Sequence, residues 1–198
     1  MPLEYNITYE TTNTYENLVL NAHWQFLIIP ETNESQEFVE IEFDNSLKAI
    51  NQYSSNGYGF KTIRLNPKKE FNEISFKANF KLLKKEINPF DFIPSTNNED
   101  YLKINSLDYK VDFEPFLRVS YFTSLPQKFI NSFNFDTNKS IFENLQDLND
   151  WVNNYISFKA DVTDVTTTLD HIIDNKEGVC QDFTHLFCAL ARVNNIPA

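Results

Sequence analysis

Leu3, Tyr5, Ile7 and Tyr9 alternate with Glu4, Asn6, Thr8 and Glu10, the period of two that marks a half-buried strand. "HWQFLIIP" follows as a second apolar run ended by Pro30. In "FVEIEFD" the alternation returns and places Val39, Ile41 and Phe43 on one face. "NGYGFKTIRL" reads as a turn running into a strand, and "EISFKANFKLL" puts Ile74, Phe76, Ala78, Phe80 and Leu82 on one side. Five or more short strands separated by polar turns predict an antiparallel β-sandwich.

The pattern weakens after residue 88. Pro89, Pro94, Pro115 and Pro126 punctuate a stretch with clustered Asn and Asp, which predicts a connecting segment with short irregular or helical pieces over 89–137. The period then changes. Ile141, Leu145, Leu148, Val152, Tyr155 and Ile156 recur at helical spacing, and Ser140 with Glu143 three residues later matches a capping box. A short helix is expected around Thr168 to Asp174. A last helix carries a stripe of Phe183, Leu186, Phe187, Leu190 and Val193, with Asn194, Asn195 and Pro197 suited to its end. The expected organisation is a sandwich domain over 1–88, the connecting segment, and a helical part over 138–198, so the fold class is α+β.

Composition narrows the partners. The chain carries 28 Asp and Glu against 17 Lys and Arg, a formal charge of −11. Such a surface repels phosphate backbones and anionic headgroups, which argues against nucleic acid and membrane partners. "MPLEYNITYE" lacks the basic start and apolar core of a signal peptide. The two cysteines, Cys180 and Cys188, lie eight positions apart on one expected helix. That rise is about 12 Å, beyond disulfide reach, and a reducing, cytoplasmic setting fits. No cofactor is implied: "GYG" lacks the Lys and the strand-to-helix context of a phosphate loop. Nor is a metal, since His185 and Cys188 alone do not make a zinc site.

Glycine is scarce, with three in the chain, and Gly178 stands two residues before Cys180. A glycine there permits a backbone angle or a close approach that a Cβ would block. Cys180 would lie in the first turn of the last helix, where free N–H groups and the macrodipole favour a thiolate and could hold an oxyanion. From spacing alone, Cys180 reads equally as a nucleophile or as a small core residue at a helix start. Cys188, between Phe187 and Leu190, reads as packing. His185 is five residues on, about 140° around the helix from Cys180, and reads as a structural residue hydrogen-bonded within the fold. Asp182 suits the helix dipole better than the role of a base.

"GVCQDFTHLFCALARVNNIPA", residues 178 to 198, closely resembles the cysteine segment of bacterial transglutaminase-like proteins. The approach "SFKADVTDVTTTLDHIIDNKEGVC" is similar to that family's as well, and the N-terminal strands look like the β-sandwich domain that precedes its core. The resemblance implies a papain-like core whose helical start is residues 138–198, with Cys180 as catalytic nucleophile. Cys180 would attack a carboxamide or peptide carbonyl of a protein or peptide substrate and form a thioester, released by an amine or by water. Protease, amidase and transamidase all stay open. The resemblance places the His and Asp partners on strands downstream of Ala198, so the 198-residue chain is expected to be inactive. Its apolar helix stripe is expected to find another cover, possible self-association included. The alternative is a non-catalytic protein-binding module in which the sandwich recognises a partner.

Overall fold

The computed structural model describes residues 2–88, 90–93 and 98–198. Pro89 and Pro94, two of the punctuating prolines, lie outside the described residues. The chain divides into two compact units, Met1–Asp91 and Phe92–Ala198, and its fold class is mixed α and β with antiparallel sheets.

The first unit holds β1 (Leu3–Val19), β2 (Trp24–Phe26), β3 (Gln36–Asn45), β4 (Gln52–Ser55), β5 (Lys61–Leu65) and β6 (Phe71–Lys84). They form two three-stranded antiparallel sheets, ordered β1-β6-β3 and β2-β5-β4. β6 is the central strand of the longer sheet, and its alternating Ile74, Phe76, Ala78, Phe80 and Leu82 are all buried. Phe43 on β3 and Ile63 and Leu65 on β5 belong to the same core. Phe76 joins the two sheets, meeting Trp24 and Phe26 edge-on at centroid distances of 5.3 and 4.8 Å, a geometry that aromatic quadrupoles favour. The β4–β5 turn is closed by Asn56, whose side chain accepts the N–H groups of Tyr58 and Phe60. Gly59 there adopts φ 84°, which a side chain would resist.

Three details depart from the alternation. Pairing with β6 slips between Phe38 and Glu40, so Val39 is the extra residue of a β-bulge and faces solvent instead of joining Ile41 and Phe43. The second strand is shorter than its apolar run: pairing ends at Phe26, opposite Ile63, and the rest of "HWQFLIIP" lies outside the ladder. Leu3, Tyr5, Ile7 and Tyr9 do share a face of β1, but β1 is an edge strand and all four are exposed.

The second unit is helical: α1 (Asn98–Asn105), α2 (Leu107–Asp112), α3 (Glu114–Leu117), α4 (Ile141–Tyr155), α5 (Leu169–Asn175) and α6 (Cys180–Val193). Short 3-10 turns lie at Tyr121–Thr123 and Gln127–Phe129, and β7 (Ser157–Phe158) pairs in parallel with β8 (Glu177–Gly178). Ser140 and Glu143 start α4 with a reciprocal cap. The Ser140 hydroxyl accepts the Glu143 N–H at 3.2 Å, and the Glu143 carboxylate accepts the Ser140 N–H at 2.8 Å. Leu148 and Val152 of α4, Leu169, Ile172 and Ile173 of α5, and Leu186, Ala189, Leu190 and Ala191 of α6 make one core. Fully burying a leucine contributes about 1.5–3 kcal/mol, so this core sets the position of α6. Phe183 and Phe187 pack half-buried against it, while Val193, at the far end of the stripe, is exposed. Asn195 ends α6 in the left-handed region at φ 60°, and the Ile196 N–H reaches back to the Ala191 carbonyl. Among the described residues no helix is long and apolar enough to cross a membrane.

Candidate active site at the start of helix α6

Cys180 is the first residue of α6 and its side chain is exposed. The N–H groups of Cys180 and Gln181, in the first turn, have no preceding helical carbonyl to bond. They and the macrodipole of a 14-residue helix favour negative charge where the thiol stands. Cys188 lies within the helix and is partly covered.

The cap residue before the helix is Val179, whose side chain offers no acceptor. Asp182 supplies one from the other direction. Its Oδ2 accepts the Val179 N–H at 2.7 Å, and the Thr163 hydroxyl donates to the same oxygen at 2.5 Å. The Asp182 N–H in turn donates to the Val179 carbonyl at 2.8 Å. Asp182 is 0% exposed, and its Oδ1 is buried with no partner among the described residues.

Gly178 explains why the turn contains a glycine. It is buried in β8, and its carbonyl accepts the Lys159 N–H at 2.9 Å beside β7. A Cβ built on it would fall 2.7 Å from both Cβ and Oδ2 of Asp182. The close approach anticipated from glycine scarcity is therefore between Gly178 and the buried aspartate.

The three histidines are dispersed. His185 packs its ring on Phe122 at 6.0 Å with an interplanar angle of 18°. Its Nδ1 is buried without a hydrogen-bond partner among the described residues. The expectation of a hydrogen-bonded imidazole is thus replaced by a stacked one: Phe122 covers the ring and presents no acceptor. His171, on α5, lines an open polar pocket of about 450 Å³ with Asp161, Thr163 and Asp164. In that loop Asp164 accepts the hydroxyl and N–H of Thr166, and these bonds hold its carboxyl below the usual aspartate range. His23, in the first unit, contacts the Asn66 amide. Among the described residues no group of three or more His, Cys, Asp or Glu side chains is arranged to hold a metal.

Thr163 lies in the approach segment that resembles the family's, but the sequence assigns it no role. No local spacing marks it, and only the folded loop brings its hydroxyl to Asp182, 19 positions on.

Residues 129–198 match the family model of the transglutaminase-like superfamily. The matched residues all lie within the second unit. The whole chain superposes on a candidate cysteine protease from Cytophaga hutchinsonii with a TM-score of 0.67 at 17% identity. That superposition covers 100% of this chain and 65% of the length of the other protein, and at such identity it speaks for the fold alone. No curated protein sequence matches this one.

Proposed function

We propose that this chain carries the nucleophile of a thiol enzyme that acts on carboxamides or peptide bonds. The observation that carries the reading is an exposed thiol at the first position of a long helix, within the segment that matches the transglutaminase-like family. The Cys180 thiolate would add to the carbonyl carbon, the C–N bond would break as the nitrogen takes a proton, and a thioester would remain on Sγ. The first-turn N–H groups are placed to favour the oxyanion formed on the way. An amine or water then completes transamidation or hydrolysis.

Turnover needs a base beside the thiol; His185 is stacked on Phe122, and no hydrogen bond joins His185 or His171 to Cys180 among the described residues. We therefore expect the 198-residue chain to acylate without turning over. With p-nitrophenyl acetate, the thiolate displaces p-nitrophenolate and the acetyl group stays on sulfur. Intact-mass analysis should show one acetyl group on Cys180, a single burst of p-nitrophenolate, and neither in Cys180→Ala. Sustained release that survives Cys180→Ala would remove the proposal. The exposed apolar stripe of β1, Leu3, Tyr5, Ile7 and Tyr9, favours a second reading as a protein-binding module. That reading gains if Cys180 acylates no faster than Cys188.

A further inference from the structure

We propose that Asp182 is a positioning residue for the Cys180 thiol, a role that rests on the thiol-enzyme reading above. The residue immediately before Cys180 is held by one oxygen: the Val179 N–H and the Thr163 hydroxyl both end on Asp182 Oδ2, at 2.7 and 2.5 Å. Fixing that peptide fixes the Val179 torsions, φ −108° and ψ 179°, and with them the direction in which the Cys180 side chain leaves the backbone. Gly178 removes the remaining slack. On one side its carbonyl is tied to the Lys159 N–H, and on the other it abuts Asp182 so closely that a methyl group does not fit.

Two observations separate this role from ordinary helix capping. Asp182 is wholly buried and leaves Oδ1 without a partner among the described residues, a state that native structures rarely tolerate and that calls for a reason. A negative charge on its carboxyl would also sit in the same first turn as the thiol, where it would oppose a thiolate instead of promoting one. The nearest charged residue on β8, Glu177, is already paired with Lys159 at 2.8 Å. Any benefit of Asp182 to the thiol must therefore come through placement, and charge and placement predict effects of opposite sign.

The experiment uses the full chain and three variants. Gly178→Ala and Thr163→Val keep the carboxylate charge and disturb its seat, whereas Asp182→Asn removes the charge. The pH profile of Cys180 alkylation by iodoacetamide is followed by mass spectrometry, with Cys188 as internal reference. Exchange of the Val179 amide is followed in parallel. Positioning predicts that Gly178→Ala raises the apparent thiol pKa and slows alkylation at pH 7 by about tenfold, roughly one unit. Thr163→Val should act in the same direction by about threefold, and the double variant should be no slower than Gly178→Ala alone, because both act on one contact. The Val179 amide should exchange at least about tenfold faster in either single variant. If Gly178→Ala does not fold, Thr163→Val carries the test alone.

The proposal is overturned if Asp182→Asn speeds alkylation while the two charge-conserving variants leave both the profile and Val179 exchange unchanged. Asp182 would then be a neighbouring charge and nothing more. A wild-type profile centred at the ordinary thiol value of about 8.5 would instead sink the thiol-enzyme reading. In that case the Val179 exchange alone decides whether the clamp exists.

Discussion

The Tyr101 hydroxyl accepts a hydrogen bond from the buried Asn144 side chain at 2.8 Å and donates to the Lys139 carbonyl at 2.6 Å. A residue of α1 thereby locks the approach to α4. The two N–H groups of the Asn144 amide are shared among three acceptors, Tyr101 Oη and the Asp136 and Ser140 carbonyls, and its oxygen accepts the Asp136 N–H. Tyr101→Phe removes the hydroxyl and leaves those partners short of a contact. It should cost about 1–2 kcal/mol, read as a lower urea midpoint at an unchanged m-value.

Acid should loosen the start of α4 early. Hydrogen bonds from the Ser140 hydroxyl and N–H hold the Glu143 carboxyl below its ordinary value. A carboxyl with a depressed folded-state value binds fewer protons folded than unfolded. Its contribution is complete above about pH 4.3, the ordinary glutamate value, and is lost as pH falls through the folded value. The thermal midpoint should drop on acidification from about pH 5 to 3, and Glu143→Gln should flatten that slope. Ser140→Ala, which removes the buried half of the cap, should cost about 1 kcal/mol near neutral pH.

His185 offers the opposite sign. Its ring stacks on Phe122 while Nδ1 is buried and unpaired among the described residues. His185→Phe keeps an aromatic ring in the stack and removes the orphaned nitrogen. A buried polar atom without a partner costs about 1–3 kcal/mol, so this variant should unfold at a higher urea concentration than the parent chain. An unchanged or lower midpoint would show that the nitrogen is satisfied in solution.

Cys180 and Leu190 test the division between site and core. Cys180 is exposed and Leu190 is 0% exposed. Cys180→Ala should abolish acylation at that position yet stay within about 0.5 kcal/mol of the parent stability. Leu190→Ala should cost about 2–5 kcal/mol, measured by denaturant unfolding.

Much of this architecture was legible where one residue's neighbours in sequence also decide its environment. The β6 alternation and the Ser140–Glu143 cap are of that kind, because the two faces of a strand and the first turn of a helix are each set within a few residues. The Val39 bulge was not, since an extra residue in β3 shows only when β3 is laid against β6. Residues 98–117 form three short helices with little periodic signal, too short for propensity to announce them. At the site, the scarcity of glycine marked Gly178, but its reason lies in the Asp182 side chain four positions on. Thr163 reaches that carboxylate across a loop, a meeting that no spacing rule records.

Because Gly178 lies directly against the Asp182 side chain, a larger residue at 178 crowds the carboxylate that holds the turn. Transplanting this cysteine turn into a new scaffold therefore means moving residues 178 to 182 as a block, together with a hydroxyl donor in the place of Thr163. A graft that copies Cys180 and its helix alone would inherit a reactive atom with no control over its aim.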